Sequence, residues 1–130
     1  MDDENARPEY SREPTIEDLI VLCRQLNQAG VNYVVIGGFA IILNGYARTT
    51  GDIDLLVDSA IENVDRIKQA LLYLPDKAIT EVNADDVAKY SVVRVADEIL
   101  IDLMHKACDV TYAKAKDYIE FREIEGTKIP

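Results

Sequence analysis

At 130 residues the chain has the length of one ordinary domain with its own core, so neither a disulfide nor a metal staple is needed for folding. A hydrophobic content of 48% excludes a disordered chain. The balance of 24 acidic against 14 basic residues, net −10, argues against a broad face for long nucleic acid, because phosphate contacts require Lys and Arg.

In chain order, residues 1–14 are polar, contain two prolines and read as a mobile tail ahead of a single domain at 15–130. Thr15 is placed to cap a helix, with Asp18 at its third position. Ile16, Leu19, Ile20, Cys23 and Leu26 follow at helical spacing, and Gly30 suits the stop. Residues 31–36 (VNYVVI) read as a short buried strand broken by Gly37-Gly38, and 39–43 as a short helix. A second strand is predicted at 53–57, then a helix over about 60–74 that stops at Pro75. Residues 76–89 read as loop and short helix, and 91–95 with 99–104 as a hairpin around Ala96-Asp97-Glu98. A helical stretch near 111–116 precedes a last strand at 118–124, turned by Glu125-Gly126. The pattern predicts an α+β domain (a mixed-sheet α/β arrangement), with a central mixed sheet flanked by helices.

The longest apolar run, 33–43, has 11 residues, against the about 20 that a membrane span requires. The first residues carry no hydrophobic stretch of the secretory kind. Cys23 and Cys108 have apolar neighbours and no ligand spacing, and read as two reduced core thiols of a cytoplasmic protein.

Chemistry concentrates in the acids. Asp52 and Asp54 stand at the mouth of the second strand, where alternation puts both on one face and Ile53, Leu55 and Val57 on the other. Alone the pair is weak, since 14 Asp in this chain give roughly 1.5 Asp-x-Asp triplets by chance. Asp102 adds weight as the single charge in the strand-like run Ile99 to Met104, where an unpaired buried carboxylate is costly. It reads as a hydrogen-bonded or ion-paired core residue, as a residue on an exposed strand face, or as a third carboxylate brought beside the first two. In the last case the crowded acids repel unless a divalent cation such as Mg²⁺ or Mn²⁺ offsets their charge. Asp102→Asn is then expected to stabilise the metal-free fold or leave it unchanged. Gly37-Gly38, after a strand and before a helix, is placed either as a tight turn or to let backbone amides approach a phosphate. Arg48, Thr49 and Thr50, just ahead of the acids, are placed to meet phosphate oxygens, with an ion pair to Asp as the other role of Arg48. His105 lacks a second ligand at metal spacing and reads as structural, and Lys77 as a solvated lysine within reach of a loop phosphate.

The segments IGGFAI (36–41), RTTGDIDLLV (48–57) and ILIDLM (99–104), in that order, resemble the nucleotidyltransferase superfamily with its polymerase-beta-like palm. The closest likeness is to small bacterial and archaeal nucleotidyltransferases, among them abortive-infection (toxin–antitoxin) enzymes and minimal enzymes that pair with a helical partner protein. The resemblance implies transfer of a nucleoside monophosphate from a nucleoside triphosphate such as ATP to an acceptor hydroxyl on RNA, protein or a small molecule. It implies Asp52, Asp54 and Asp102 as Mg²⁺ or Mn²⁺ ligands, and Gly37, Gly38, Arg48 and Thr50 at the nucleotide. Two departures stand out. Gly38 occupies a position where the family often has Ser, and the helices that help relatives bind base or acceptor do not follow Pro130. The resemblance therefore expects such helices from a longer chain or a partner. A catalytically silent module that keeps the fold to dock a partner is the alternative.

Overall fold

Thr15 opens the first helix through a reciprocal cap: its Oγ1 accepts from the Asp18 N–H at 3.3 Å, and Asp18 Oδ2 accepts from the Thr15 N–H at 2.7 Å. The computed structural model describes residues 11–43, 45 and 50–130. Helix α1 (Ile16–Gln28) buries Leu19, Ile20, Leu22, Cys23 and Leu26. Strand β1 (Tyr33–Ile36) runs directly into α2 (Gly37–Leu43), and β2 (Ile53–Val57) leads through residues 58–60 to α3 (Ile61–Ala70). Helix α3 is shorter than the 60–74 expected, because its last turn tightens to a 3-10 turn at Leu71–Tyr73. Leu74, which precedes Pro75, is extended at φ −70° and ψ 140°, as the proline ring requires of its neighbour.

Residues 76–89 hold a 3-10 turn (Ala78–Glu81) and one turn of helix α4 (Asp86–Lys89). The expected hairpin is present as β3 (Val93–Ala96) and β4 (Leu100–Met104). A two-residue ladder, β5 (Lys106–Ala107) and β6 (Val110–Thr111), leads into α5 (Tyr112–Ala115). The single last strand expected at 118–124 is a hairpin instead, β7 (Arg122–Ile124) with β8 (Thr127–Ile129). Docking of its second strand is the reason: Ile129 is fully buried, Arg24 donates to Thr127 Oγ1 at 3.0 Å, and the Val35 N–H donates to the Pro130 carbonyl at 3.1 Å.

The main sheet has the order β1-β2-β4-β3, with β2 and β4 parallel and both outer pairs antiparallel. The domain is therefore α+β with a mixed central sheet. Tyr33, Val35, Ile53, Leu55, Val57, Val95, Ile101 and Leu103 join the buried residues of α1 and α3 in one core. Each such Leu or Ile contributes about 1.5–3 kcal/mol. A one-residue slip would move Ile53, Leu55, Ile101 and Leu103 out of the core together, so the inner face fixes the register of the outer one. Buried Asn63 ties the start of α3 to β1, accepting from the Asn32 N–H at 2.8 Å and donating to the Asn32 and Asp58 carbonyls.

Asp97, fully buried, fastens the connection after Pro75 to the β3–β4 turn. Its carboxylate accepts from the N–H groups of Asp76, Ala78 and Glu98 at 2.8–3.0 Å. The segment expected to be a mobile tail is attached at its described end: Ser11 Oγ donates to the Asp97 carbonyl, and Arg12 bridges Asp18 and Glu98. Among the described residues no helix is long and apolar enough to cross a membrane.

Candidate functional site

Strand alternation and the parallel pairing of β2 with β4 together make the site. Asp54 and Asp102 are direct register partners, so both carboxylates project from the outer face of the sheet. Asp52 precedes β2 by one residue and joins them, and one carboxylate oxygen from each of the three lies within 4.8 Å of the others. The expected separation of faces is seen, with Ile99, Ile101 and Leu103 buried on the inner side and Asp102 only 6% exposed on the outer.

The acids are not alone. On edge strand β3, Arg94 is the register partner of Asp102. Its Nε donates to Asp102 Oδ1 at 2.8 Å, and its Nη2 donates to Asp102 Oδ2 at 2.9 Å and to Asp52 Oδ2 at 3.0 Å. The chain supplies a guanidinium of its own, which offsets part of the crowding without a divalent cation. Asp102 thus satisfies two of its readings at once, ion-paired and beside the other two acids.

Proton affinity follows from the geometry. Burial, and then the charges of Asp52 and Asp102, push Asp54 up to about 7, against a smaller opposing pull from Arg94. Burial raises Asp52 as well, and Asp102 beside it adds to the rise. Arg94 is raised in turn, first by its bond to Asp102.

The Gly-Gly step lies against the acids. Gly37, at φ +72°, begins α2 with its Cα beside the Asp54 carboxylate, and a Cβ there would collide with Oδ2. A Cβ on Gly38 would come within 2.6 Å of Thr50 Oγ1, so Thr50 takes up the room that a side chain at 38 would need. That hydroxyl donates to the Asp52 carbonyl at 3.0 Å and anchors the start of the acidic segment, a backbone role beside the expected phosphate one. Arg48 and Thr49 lie outside the described residues.

On the same outer face, β1, α2 and β2 border a cavity of about 620 Å³ with Val34, Ile36, Leu43 and Leu56 in its wall. Ile36 is the register partner of Asp54, so this apolar space begins next to the acids. Lys114 and Arg122 also line it.

The remaining candidates fall elsewhere. His105 Nδ1 is 2.8 Å from the Val87 carbonyl, a structural contact. Lys77 has left-handed backbone and donates to the Leu72 carbonyl. Cys23 is buried as expected, but Cys108 is exposed, which corrects the reading of two core thiols: at φ 50° it sits in the tight turn between the two-residue strands β5 and β6, outside the main sheet.

Mg²⁺ and Mn²⁺ favour hard oxygen donors, and three convergent carboxylates are a donor set of that type. The residues fit the ion. Comparison of the chain with protein-family models, curated proteins and solved structures finds no match.

Proposed function

We propose that the outer face of the sheet is the active site of a metal-dependent nucleotidyltransferase acting in a reduced, cytoplasmic setting. The observation that carries the reading is the convergence of Asp52, Asp54 and Asp102 on in-register parallel strands. Asp52, Asp54 and Asp102 would hold Mg²⁺ or Mn²⁺, which supplies charge neutralisation for a triphosphate and its departing pyrophosphate. In the reaction, an acceptor hydroxyl oxygen bonds to the α-phosphorus of a nucleoside triphosphate, the α–β bridging bond breaks, and pyrophosphate leaves. The hydroxyl proton passes to a carboxylate of the cluster. Gly37 and Gly38 keep side chains out of the space before the acids, and the apolar cavity offers room for the organic part of a substrate.

RNA ends, protein side chains and small molecules are all acceptors of the required type, and a helical protein is the partner the reading proposes. The net charge of −10 opposes encounter with long RNA or DNA by the chain alone. The test is pyrophosphate release from mixed triphosphates with Mg²⁺ or Mn²⁺ and a panel of acceptors. Asp52→Asn and Asp54→Asn are expected to lose most of the turnover while circular dichroism stays native. Unchanged turnover in both variants overturns the assignment.

A second reading is supported by Arg94. A guanidinium already seated between Asp52 and Asp102 suits a catalytically silent module that docks a partner. Calorimetric titration separates the two: Mg²⁺-dependent binding of a triphosphate supports the enzyme, and no binding of any triphosphate supports the module.

A further inference from the structure

We propose that Arg94 is a displaceable latch, a built-in cation that closes the carboxylate cluster and must leave Asp52 and Asp102 before a divalent ion is held there. The inference rests on the metal reading above and adds its regulation.

The three bonds of Arg94 do not spread over the surface but converge. Nη2 is shared between Asp52 Oδ2 and Asp102 Oδ2, and so occupies a bridging position between two of the three acids. Nε takes the remaining oxygen of Asp102, so both oxygens of the most buried acid are engaged by one guanidinium. A divalent ion drawing on the same oxygens would place like charge against Nη2, and the two cations compete. The fork geometry makes the closed state well defined, because two parallel bonds to one carboxylate orient as well as attract.

A route out is also present. Among the described residues β3 pairs only with β4 in the main sheet and is an edge strand there, and the Arg94 side chain is 37% exposed. Release needs rotation of one long side chain and no change in the backbone ladder. The three bonds of the latch leave out Asp54.

The test uses the full chain and Mn²⁺ or Mg²⁺ alone. Arg94→Met is expected to bind Mn²⁺ about tenfold more tightly than the parent by calorimetry, a change of about 1.4 kcal/mol. Its melting temperature is also expected to rise further on addition of the ion. Arg94→Lys keeps the charge without the fork and is expected to fall between the two, which covers the case in which the methionine variant fails to fold. Independently of any variant, saturating Mg²⁺ should shift the Arg94 Nε–H resonance of the parent and speed its exchange with water. Equal Mn²⁺ affinities with an unmoved Nε–H signal overturn the latch and leave the metal reading standing. No ion bound by parent or variants overturns both, and makes Arg94 a permanent counter-ion.

Discussion

Asp54 and Gly37 are interlocked: the carboxylate of one lies where the Cβ of any other residue would stand on the second. The left-handed backbone of Gly37 adds a penalty of about 1–2 kcal/mol for an L side chain, before any collision is counted. Gly37→Ala is therefore expected to lower stability by at least that amount and to abolish ion binding by moving Asp54. Thermal melting and Mn²⁺ calorimetry on the same sample check both.

Gly38 and Thr50 form a second complementary pair. Gly38→Ser brings its Cβ against Thr50 Oγ1 and should break the bond that Thr50 makes to the Asp52 carbonyl. Thr50→Ala in the same chain removes the obstruction, so the double variant is expected to be more stable than Gly38→Ser alone. Denaturant midpoints of the four proteins in the cycle would reveal the coupling, and additive effects would contradict it.

The proton on Asp54 predicts how stability varies with pH in EDTA. Its folded value, about 7, stands above the usual carboxylate value of about 3.9. Between these limits the unfolded chain is ionised while the folded chain keeps its proton, so stability falls as pH rises from about 4 to 7 and then levels. The upward shift of Asp52 acts in the same direction. Asp54→Asn should flatten this part of the profile and melt above the parent at pH 8. An unchanged profile would contradict the assignment.

Asp102→Asn now has the opposite expected effect from the one that like-charge relief alone suggested. An amide cannot accept both bonds of the Arg94 fork, and it leaves the guanidinium with Asp52 as its one charged partner among these bonds. A loss of about 1–3 kcal/mol is expected in EDTA, measured by denaturant unfolding. Arg94→Met combined with Asp102→Asn should lose less than the sum of the two single changes.

The thiols should part company in labelling. Burial pushes Cys23 up to about 11, whereas Cys108 is exposed. Ellman's reagent is expected to take one equivalent from the native protein at Cys108, and the second only on unfolding. Loss of the native signal in Cys108→Ser confirms the site.

The acids were legible in the sequence because alternation alone fixes a face: Asp52 and Asp54 two apart, and Asp102 between Ile101 and Leu103. Arg94 was not, and the reason is register. A turn over Ala96-Asp97-Glu98 sets Arg94 opposite Leu100, whereas the observed connection of 97–99 sets it opposite Asp102. Moving each end of the turn by one residue changes every cross-strand neighbour. The preference for the later turn comes from Asp97, whose buried carboxylate is satisfied by Asp76 and Ala78, about twenty residues away in the chain. Strand β8 was hidden for the same kind of reason. Thr127 and Ile129 become a strand through contacts with Arg24 and the core, which no local pattern records.

That fastening at Asp97 has a kinetic corollary. The amides of Asp76, Ala78 and Glu98 come from two separate segments but end on one carboxylate. Opening the 97–98 turn takes the acceptor away from Asp76 and Ala78, and opening the 76–78 segment takes two donors from the buried carboxylate, so the segments should exchange with deuterium as one cooperative unit. One half of the unit, the turn at 97–98, connects the strands that carry Arg94 and Asp102. Its opening rate would set how often the cluster of acids loses alignment, in a part of the molecule that touches none of them.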